Sequence, residues 1–438
     1  MLPVLAEIDH IIRNVSSWAR PHAAYASLLA FSVSSSYTEP IPYGTVLIIA
    51  PFNYPLMLSV SPVAGALAAG NAVVLKPSEL TPRFTDALVD VLTAALDPAV
   101  FAAFTGGPEV STALLDCKFD KILFTGGAGV GRIVARKAAE TLTPVLLELG
   151  GKSPAFVTPS AAGSLRTTAR RLVWGALLNA GQTCTSVDYV VAHDSVYDAL
   201  LEHIRDVIAN EFYPNDTAEA HLSFLVNDRA YARVSGLLDA TAGHVELFGK
   251  PDPARRFMPP ALVSAVDWSD PLMADELFGP LIPVLRYTDL ADAVAHVAGP
   301  LATPLAVYVF STVRAEQELV LAAVPSGQAV INDVTLQVAN YALPFGGVGT
   351  SGMGGGYHGH ASFLAFSHQR ACIRSGFWNE FALSVRYPAT ARTAAVRAHM
   401  LRFLFLPRDT LIKFAQQVAR PVLVLVSAVS ALLLYTIR

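Results

Sequence analysis

The chain has 438 residues, 53% of them hydrophobic and 15% charged, with a formal net charge of −4. At about 150 residues per domain, this length accommodates two domains and a tail around a large core. The acidic balance and the lack of a basic stripe argue against a nucleic-acid partner, while a mean hydropathy of +0.44 points to membrane contact somewhere in the chain.

Residues 2–20 read as one amphipathic helix. Leu5, Ile8, Ile12 and Val15 recur at helical spacing, and Pro21 stops it. Met1 to His10 carries Glu7 and Asp9 and lacks both a basic start and a long apolar run, so no signal peptide is evident. Residues 31–43, rich in Ser, Thr and Pro, suit an extended arm or edge strand. From Tyr43 strands and helices alternate. Thr45 to Ala50, Ala72 to Leu75, Lys121 to Thr125 and Pro144 to Leu149 read as strands, with helices over 55–69, 82–96 and from the turn after Thr125 to Glu140. Short, wholly apolar strands between helices indicate a doubly wound parallel sheet. The turn Gly126-Gly127-Ala128-Gly129-Val130-Gly131 is placed to set a pyrophosphate on a helix N-terminus. Its spacing is not the usual dinucleotide fingerprint, and a plain flexible turn is the alternative.

The second half is less regular. Leu172 to Leu178 and residues 195–212 read as helical, and Leu305 to Phe310 and Ala329 to Ile331 as strands. The stretch Pro344 to Gly356 is too rich in glycine for a helix or strand interior, and reads as a loop that lets backbone lie close to something.

Two stretches carry the chemistry. Asn179-Ala180-Gly181-Gln182-Thr183-Cys184 places a cysteine in a short polar turn, where a thiol can ionise and attack an electrophile. Leu146-Leu147-Glu148-Leu149-Gly150-Gly151-Lys152 places one carboxylate in an apolar strand. Its pKa is expected to be raised, as suits a general base. The bland alternatives are an ordinary loop cysteine and a carboxylate paired with Lys152. Cys117, Cys184 and Cys372 form no CxxC or Cys/His cluster, so neither a disulfide framework nor a metal site is expected, and a reducing compartment fits best.

These stretches, with Pro51-Phe52-Asn53-Tyr54-Pro55, Lys76-Pro77-Ser78-Glu79, Phe124-Thr125-Gly126-Gly127, Glu276-Leu277-Phe278-Gly279-Pro280 and Pro344-Phe345-Gly346-Gly347, occur in the order seen in aldehyde dehydrogenases. The resemblance covers nearly all of residues 1–390. Gly346 to Gly359, ending Tyr357-His358-Gly359, resembles the class 3 branch, which includes the fatty aldehyde dehydrogenases. It implies a Rossmann-like NAD(P)-binding domain over 1–30 and 42–150 and an α/β catalytic domain over 151–362. Oligomerisation arms over 31–41 and 363–390 would serve a homodimer.

The resemblance also implies roles. Cys184 would attack the aldehyde to give a thiohemiacetal and then a thioester, and Glu148 would activate the hydrolytic water. Asn53 and the Cys184 N–H would hold the oxyanion. Glu276 would bind the nicotinamide ribose with Phe278 packing nearby, Lys76 and Glu79 the adenine-side ribose, and Gly126, Gly127 and Gly131 would lie by the pyrophosphate. The cofactor would be NAD, with NADP as an alternative. Read by themselves, Asn53 could cap a helix, Lys76 and Glu79 could pair at the surface, and Glu276 could cap a turn. The family usually carries several further helices ahead of the point where this sequence starts, and serine where Gly127 stands.

The tail is distinctive. Asp409 is placed to cap a helix from Thr410 to Ala419, and Pro421 to Ile437 is free of charge before Arg438. Its seventeen residues sit near the lower limit for crossing a bilayer, which takes about 20 apolar residues. Arg402, Arg408, Lys413 and Arg420 precede it, which would leave the enzyme domain cytosolic. Residues 398–438 are therefore expected to form an amphipathic helix and membrane anchor. A helix in the membrane interface or a buried oligomer helix are the alternatives. Fatty aldehyde dehydrogenases similarly end in an anchor at the endoplasmic reticulum, and the resemblance implies an aliphatic aldehyde of medium to long chain. Aromatic or short aldehydes are the rival substrates, and a catalytically silent membrane scaffold the rival function.

Overall fold

The computed structural model describes residues 2–24, 34–299, 303–380, 384–388 and 394–404, with positions 407, 409, 410, 412, 413, 416 and 417. It divides into two compact units. The first comprises Met1–Trp18 and Pro42–His368, the second Ala19–Ile41 and Gln369–Arg438.

The first unit is built on two sheets. In one, five parallel strands, β1 (Thr45–Ile49), β2 (Ala72–Lys76), β3 (Phe101–Ala103), β4 (Lys121–Thr125) and β5 (Val145–Glu148), lie in the order 5-4-1-2-3. Val46, Leu47, Ile48, Leu123 and Leu146 are fully buried, as expected of strands covered on both faces. The order reverses between β1 and β4, so the crevice beyond their carboxyl ends is where a doubly wound sheet binds ligands. In the second sheet, β6 (Pro154–Val157), β7 (Tyr189–His193), β8 (His244–Leu247), β9 (Ala261–Val266), β10 (Leu281–Tyr287), β11 (Ala306–Phe310) and β12 (Gln328–Ile331) run in the order 8-9-10-7-6-11-12. All its pairings are parallel except β8 with β9.

Five helices matter for the site: α1 (Leu2–Trp18), α2 (Met57–Ala68), α3 (Ala128–Glu140), α4 (Leu165–Leu177) and α5 (Gly359–Ala365). The glycine-rich stretch departs from the expected plain loop. A short strand, β13 (Gly352–Met353), pairs antiparallel with β5, setting Gly352 opposite Glu148 and Met353 opposite Leu147. Glycine is required at 352, because a Cβ there would lie 2.7 Å from the Gly347 backbone. The helix expected over 195–212 is an α-helix from Asp194 to Asp206 that widens to a π-turn over Val207–Phe212.

In the second unit, the strand His22–Ala23 pairs antiparallel with Ser35–Pro42, and Ser367–Arg374 completes a three-stranded sheet on the other side. Glu39 is bonded to Arg370 across that sheet. Ala394–Leu404 is helical. The expected anchor over 421–437 lies outside the described residues, as does half of the expected helix over 410–419, whose described positions are helical. Among the described residues, no helix is long and apolar enough to cross a membrane.

Candidate active site

Cys184 sits where the chain leaves α4 and enters β7. Asn179 (φ 54°), Ala180 (φ 55°) and Gly181 (φ 72°) turn in succession through the left-handed region. Such positions cost about 1–3 kcal/mol each for residues other than glycine, and persist only where surroundings over-determine them. Here they do. The Asn179 amide donates to the Asn53 carbonyl at 2.9 Å, the Asn53 amide donates to the Gln182 carbonyl at 3.0 Å, and the Val226 N–H donates to the Gln182 side chain at 3.0 Å. Tyr54 and Thr183 share a hydroxyl–hydroxyl bond of 2.7 Å. At Gly181 a Cβ would lie 2.0 Å from the Gly279 carbonyl oxygen, so only glycine fits.

The turn is therefore rigid, and the thiol is not in a polar setting. Burial pushes the Cys184 thiol above its ordinary value, Glu276 and Glu148 add to the rise, and the N–H groups of Cys184 and Thr185 offset only part of it. Burial and the neighbouring carboxylates thus work against the easy ionisation expected of a loop thiol, which would leave its proton to a nearby base.

Glu148 can be that base. It ends β5 at 2% exposure, and neither carboxylate oxygen has a hydrogen-bond partner among the described residues. Burial raises its pKa well above the ordinary carboxylate value, and the nearby Gly347 amide counters only slightly. Lys152 does not pair with it. That ammonium is bonded to Asp188 and donates to the Leu272 carbonyl at 2.8 Å.

Cys184 and Asn53 form a wall between two cavities. The first, about 540 Å3, lies at the carboxyl ends of β1 and β4 and also holds Glu148, Lys76, Glu79, Gly126, Gly127, Glu276 and Phe278. The second, about 640 Å3, is apolar and lined by Val4 of α1, Met57 of α2, Phe84, Trp174 of α4, Leu178 and Val338. Phe345 lines both.

The remaining expected residues fall around the first cavity. Lys76 is buried and bonded to the half-exposed Glu79 at 2.6 Å, so the two are an ion pair and both face the cavity. Gly127 starts α3, and a Cβ there would meet nothing within 4 Å. Gly131 instead packs on Leu149, which brings helix close to strand. One Glu276 oxygen is buried without a partner among the described residues, and the other lies against Gly150. Burial raises its pKa well above the ordinary value, with Asp188 and Asp275 adding. Phe278 meets Phe52 edge-on, ring centres 6.0 Å apart. Asn53 caps no helix: α2 begins at Met57, without a side-chain cap.

The model of the aldehyde dehydrogenase family matches residues 4–372. The chain belongs to the aldehyde dehydrogenase family. It is an oxidoreductase acting on aldehydes. It is 38% identical to the fatty aldehyde dehydrogenase HFD1 of Saccharomyces cerevisiae over 91% of this chain and 76% of the relative. It is 39% identical to the dimeric NADP-preferring aldehyde dehydrogenase of Mus musculus over 88% of this chain and 83% of the relative. Among solved structures, the substrate-bound Staphylococcus aureus AldH aligns with a TM-score of 0.82 at 35% identity, covering 89% of this chain and 82% of that one.

Some residues lining the two cavities escaped the sequence reading. Tyr54 and Phe345 stand inside motifs that were singled out, yet nothing local signals their contacts. Trp174 and Leu178 are four apart on one helical face, a signal shared by any core helix.

Proposed function

We propose that the chain oxidises medium- to long-chain aliphatic aldehydes to carboxylic acids, with NAD or NADP as hydride acceptor. The observation that carries this reading is the position of Cys184 between a cavity at the switch point, lined in part by Lys76, Glu79, Glu148 and Glu276, and one of about 640 Å3 with no charged residue in its lining. One side suits a dinucleotide, the other an alkyl chain.

The residues present fit a dinucleotide. The unpartnered Glu276 oxygen is available to a ribose hydroxyl, Lys76 with Glu79 to a second ribose, and the open backbone at Gly126 and Gly127 before α3 to a diphosphate. When bound, the cofactor supplies the acceptor for the hydride. The protein does the rest. Glu148 takes the Cys184 proton as sulfur bonds to the carbonyl carbon. The free N–H of the Asn53 amide and the Cys184 backbone N–H hold the oxyanion. Glu148 then takes a proton from the water that hydrolyses the thioester.

The charge-free run 421–437, flanked by Arg420 and Arg438, supports attachment to a membrane with the enzyme domain on the cytosolic side, as at the endoplasmic reticulum. A homodimer is part of the same reading, supported by the name of the mouse relative.

The test is NADH formation by the detergent-purified chain with hexadecanal and with benzaldehyde, beside Cys184→Ser. Turnover of hexadecanal that the variant abolishes is expected. Preference for benzaldehyde would move the substrate to the aromatic class, and a folded sample inert with both would overturn the reading.

A further inference from the structure

Lys152 and Asp188 form an ion pair whose side chains are only 11% and 3% exposed. Neither lines the two cavities that meet at Cys184. Each stands four residues after a residue of the reaction, Lys152 after Glu148 and Asp188 after Cys184. Their further side-chain bonds converge on one segment, residues 272–278 between β9 and β10. The Lys152 ammonium donates to the Leu272 carbonyl at 2.8 Å and to the Asp275 carbonyl at 3.0 Å, which with Asp188 uses all three of its protons. The second Asp188 oxygen accepts the Leu277 N–H at 2.8 Å. Both peptide groups that flank Glu276 are thus tied to a single ion pair.

The segment needs such ties. Residues 274–278 belong to no helix or strand. Phe278 holds φ at 45°, a strained angle that persists only where the surroundings over-determine it. Arg233, on the helix Asp228–Ala240, adds bonds to the Leu277 carbonyl and, at 3.4 Å, to those of Glu276 and Phe278. The Glu276 carboxylate itself is seated on Gly150, where a Cβ would lie 2.0 Å from its oxygen. Cys184 and Glu148 are held by other means, the first by the bonds of its turn and the second by its ladder with β4 and β13.

We propose that Lys152 and Asp188 are positioning residues for the cofactor, fixing Glu276 through the backbone of residues 275–277 so that its free oxygen is already in place for a ribose hydroxyl. A carboxylate on a loose loop can make the same bond, but only after the loop is ordered, which weakens binding. This inference rests on Glu276 as a ribose contact.

Calorimetric titration with NAD tests it without turnover. Glu276→Gln should weaken binding; if affinity is unchanged, the reading of Glu276 fails, and the inference with it. Lys152→Met should weaken NAD binding about tenfold or more, as for loss of a hydrogen bond to a charged group. It should also lower the melting temperature, because the Asp188 charge is left buried and unpaired. The double variant Lys152→Met/Asp188→Asn separates the two effects. With no charge stranded, its melting temperature should recover most of the loss. NAD binding should stay weak, because the Leu272 and Asp275 carbonyls are still unheld. Hydrolysis of p-nitrophenyl acetate, which needs Cys184 and Glu148 but no cofactor, should fall far less than NAD affinity in both variants. Folded variants with wild-type NAD affinity, affinity that returns with stability in the double variant, or ester hydrolysis that falls in step with affinity would overturn the inference.

Discussion

Glu148 and Glu7 are carboxylates of the same unit, exposed 2% and 3%, and their surroundings drive them in opposite directions. Burial raises the pKa of Glu148, with the Gly347 amide alone working against it. Burial pushes Glu7 up too, but its bonds to His358 and the Gly359 N–H, with Ser61 nearby, outweigh that and hold it below the ordinary range. Desolvation sets a common cost, and hydrogen-bond partners decide whether it is met. One carboxylate is left reactive, the other locks α1 to the start of α5.

The comparison breaks most sharply at Glu148→Gln. Ester turnover should fall about 100-fold or more, while thermal stability at neutral pH rises. A raised native pKa means the folded state binds more protons than the unfolded one, so stability declines as pH climbs from the ordinary carboxylate range through the native value. The stability gained by the variant should vanish in acid, as a calorimetric series over pH would measure.

Glu7→Gln should do the reverse. A lowered native pKa adds stability that is present above the ordinary carboxylate range and lost as pH falls through the native value. Urea unfolding at neutral pH should show a loss of about 2 kcal/mol, as when one partner of a buried hydrogen bond is removed. The gap to wild type should close in acid. Equal stability at neutral pH would mean that the His358 contact does not stabilise the fold.

Gly181→Ala probes the turn. A Cβ against a backbone carbonyl at a positive φ should cost about 2 kcal/mol or more, seen as a lower melting temperature and slower alkylation of Cys184 by iodoacetamide. The smallest effect is a gain. Gly127→Ser fits the extended φ of −68° and the open space at that position. One added hydroxyl should tighten NAD binding by about 1 kcal/mol at most, several-fold in a fluorescence titration.

The same contrast explains what was legible in the sequence. Strands β1, β2, β4 and β5 are short apolar runs set between helices, so their pattern is local. Glu148 stood out because the residues that desolvate it are partly its own strand neighbours, Leu146, Leu147 and Leu149. Strands β3, β6, β7, β8, β9 and β10 were not read. Pro154–Val157 is four residues long behind a glycine pair, and Pro283 and Arg286 interrupt the apolar run of Leu281–Tyr287. The state of Cys184 misled because its turn is polar in sequence, while Glu276 and Glu148, which raise its pKa, arrive from distant segments. Glu7 and His358, 351 residues apart, are a pair that no local pattern announces.

The sulfur of Cys184 can be approached from either of two cavities, and that has a pharmacological consequence. An electrophile with an alkyl tail, arriving through the chamber lined by Trp174, Met57 and Phe84, has no need to displace the dinucleotide. Inactivation by such a compound should proceed in cofactor-saturated enzyme and be slowed by an inert fatty analogue. A compound shaped for the other side would be slowed by the dinucleotide. On the proposed function, selectivity among related dehydrogenases would be sought on the apolar side, where the lining would answer to the substrate and not to a shared cofactor.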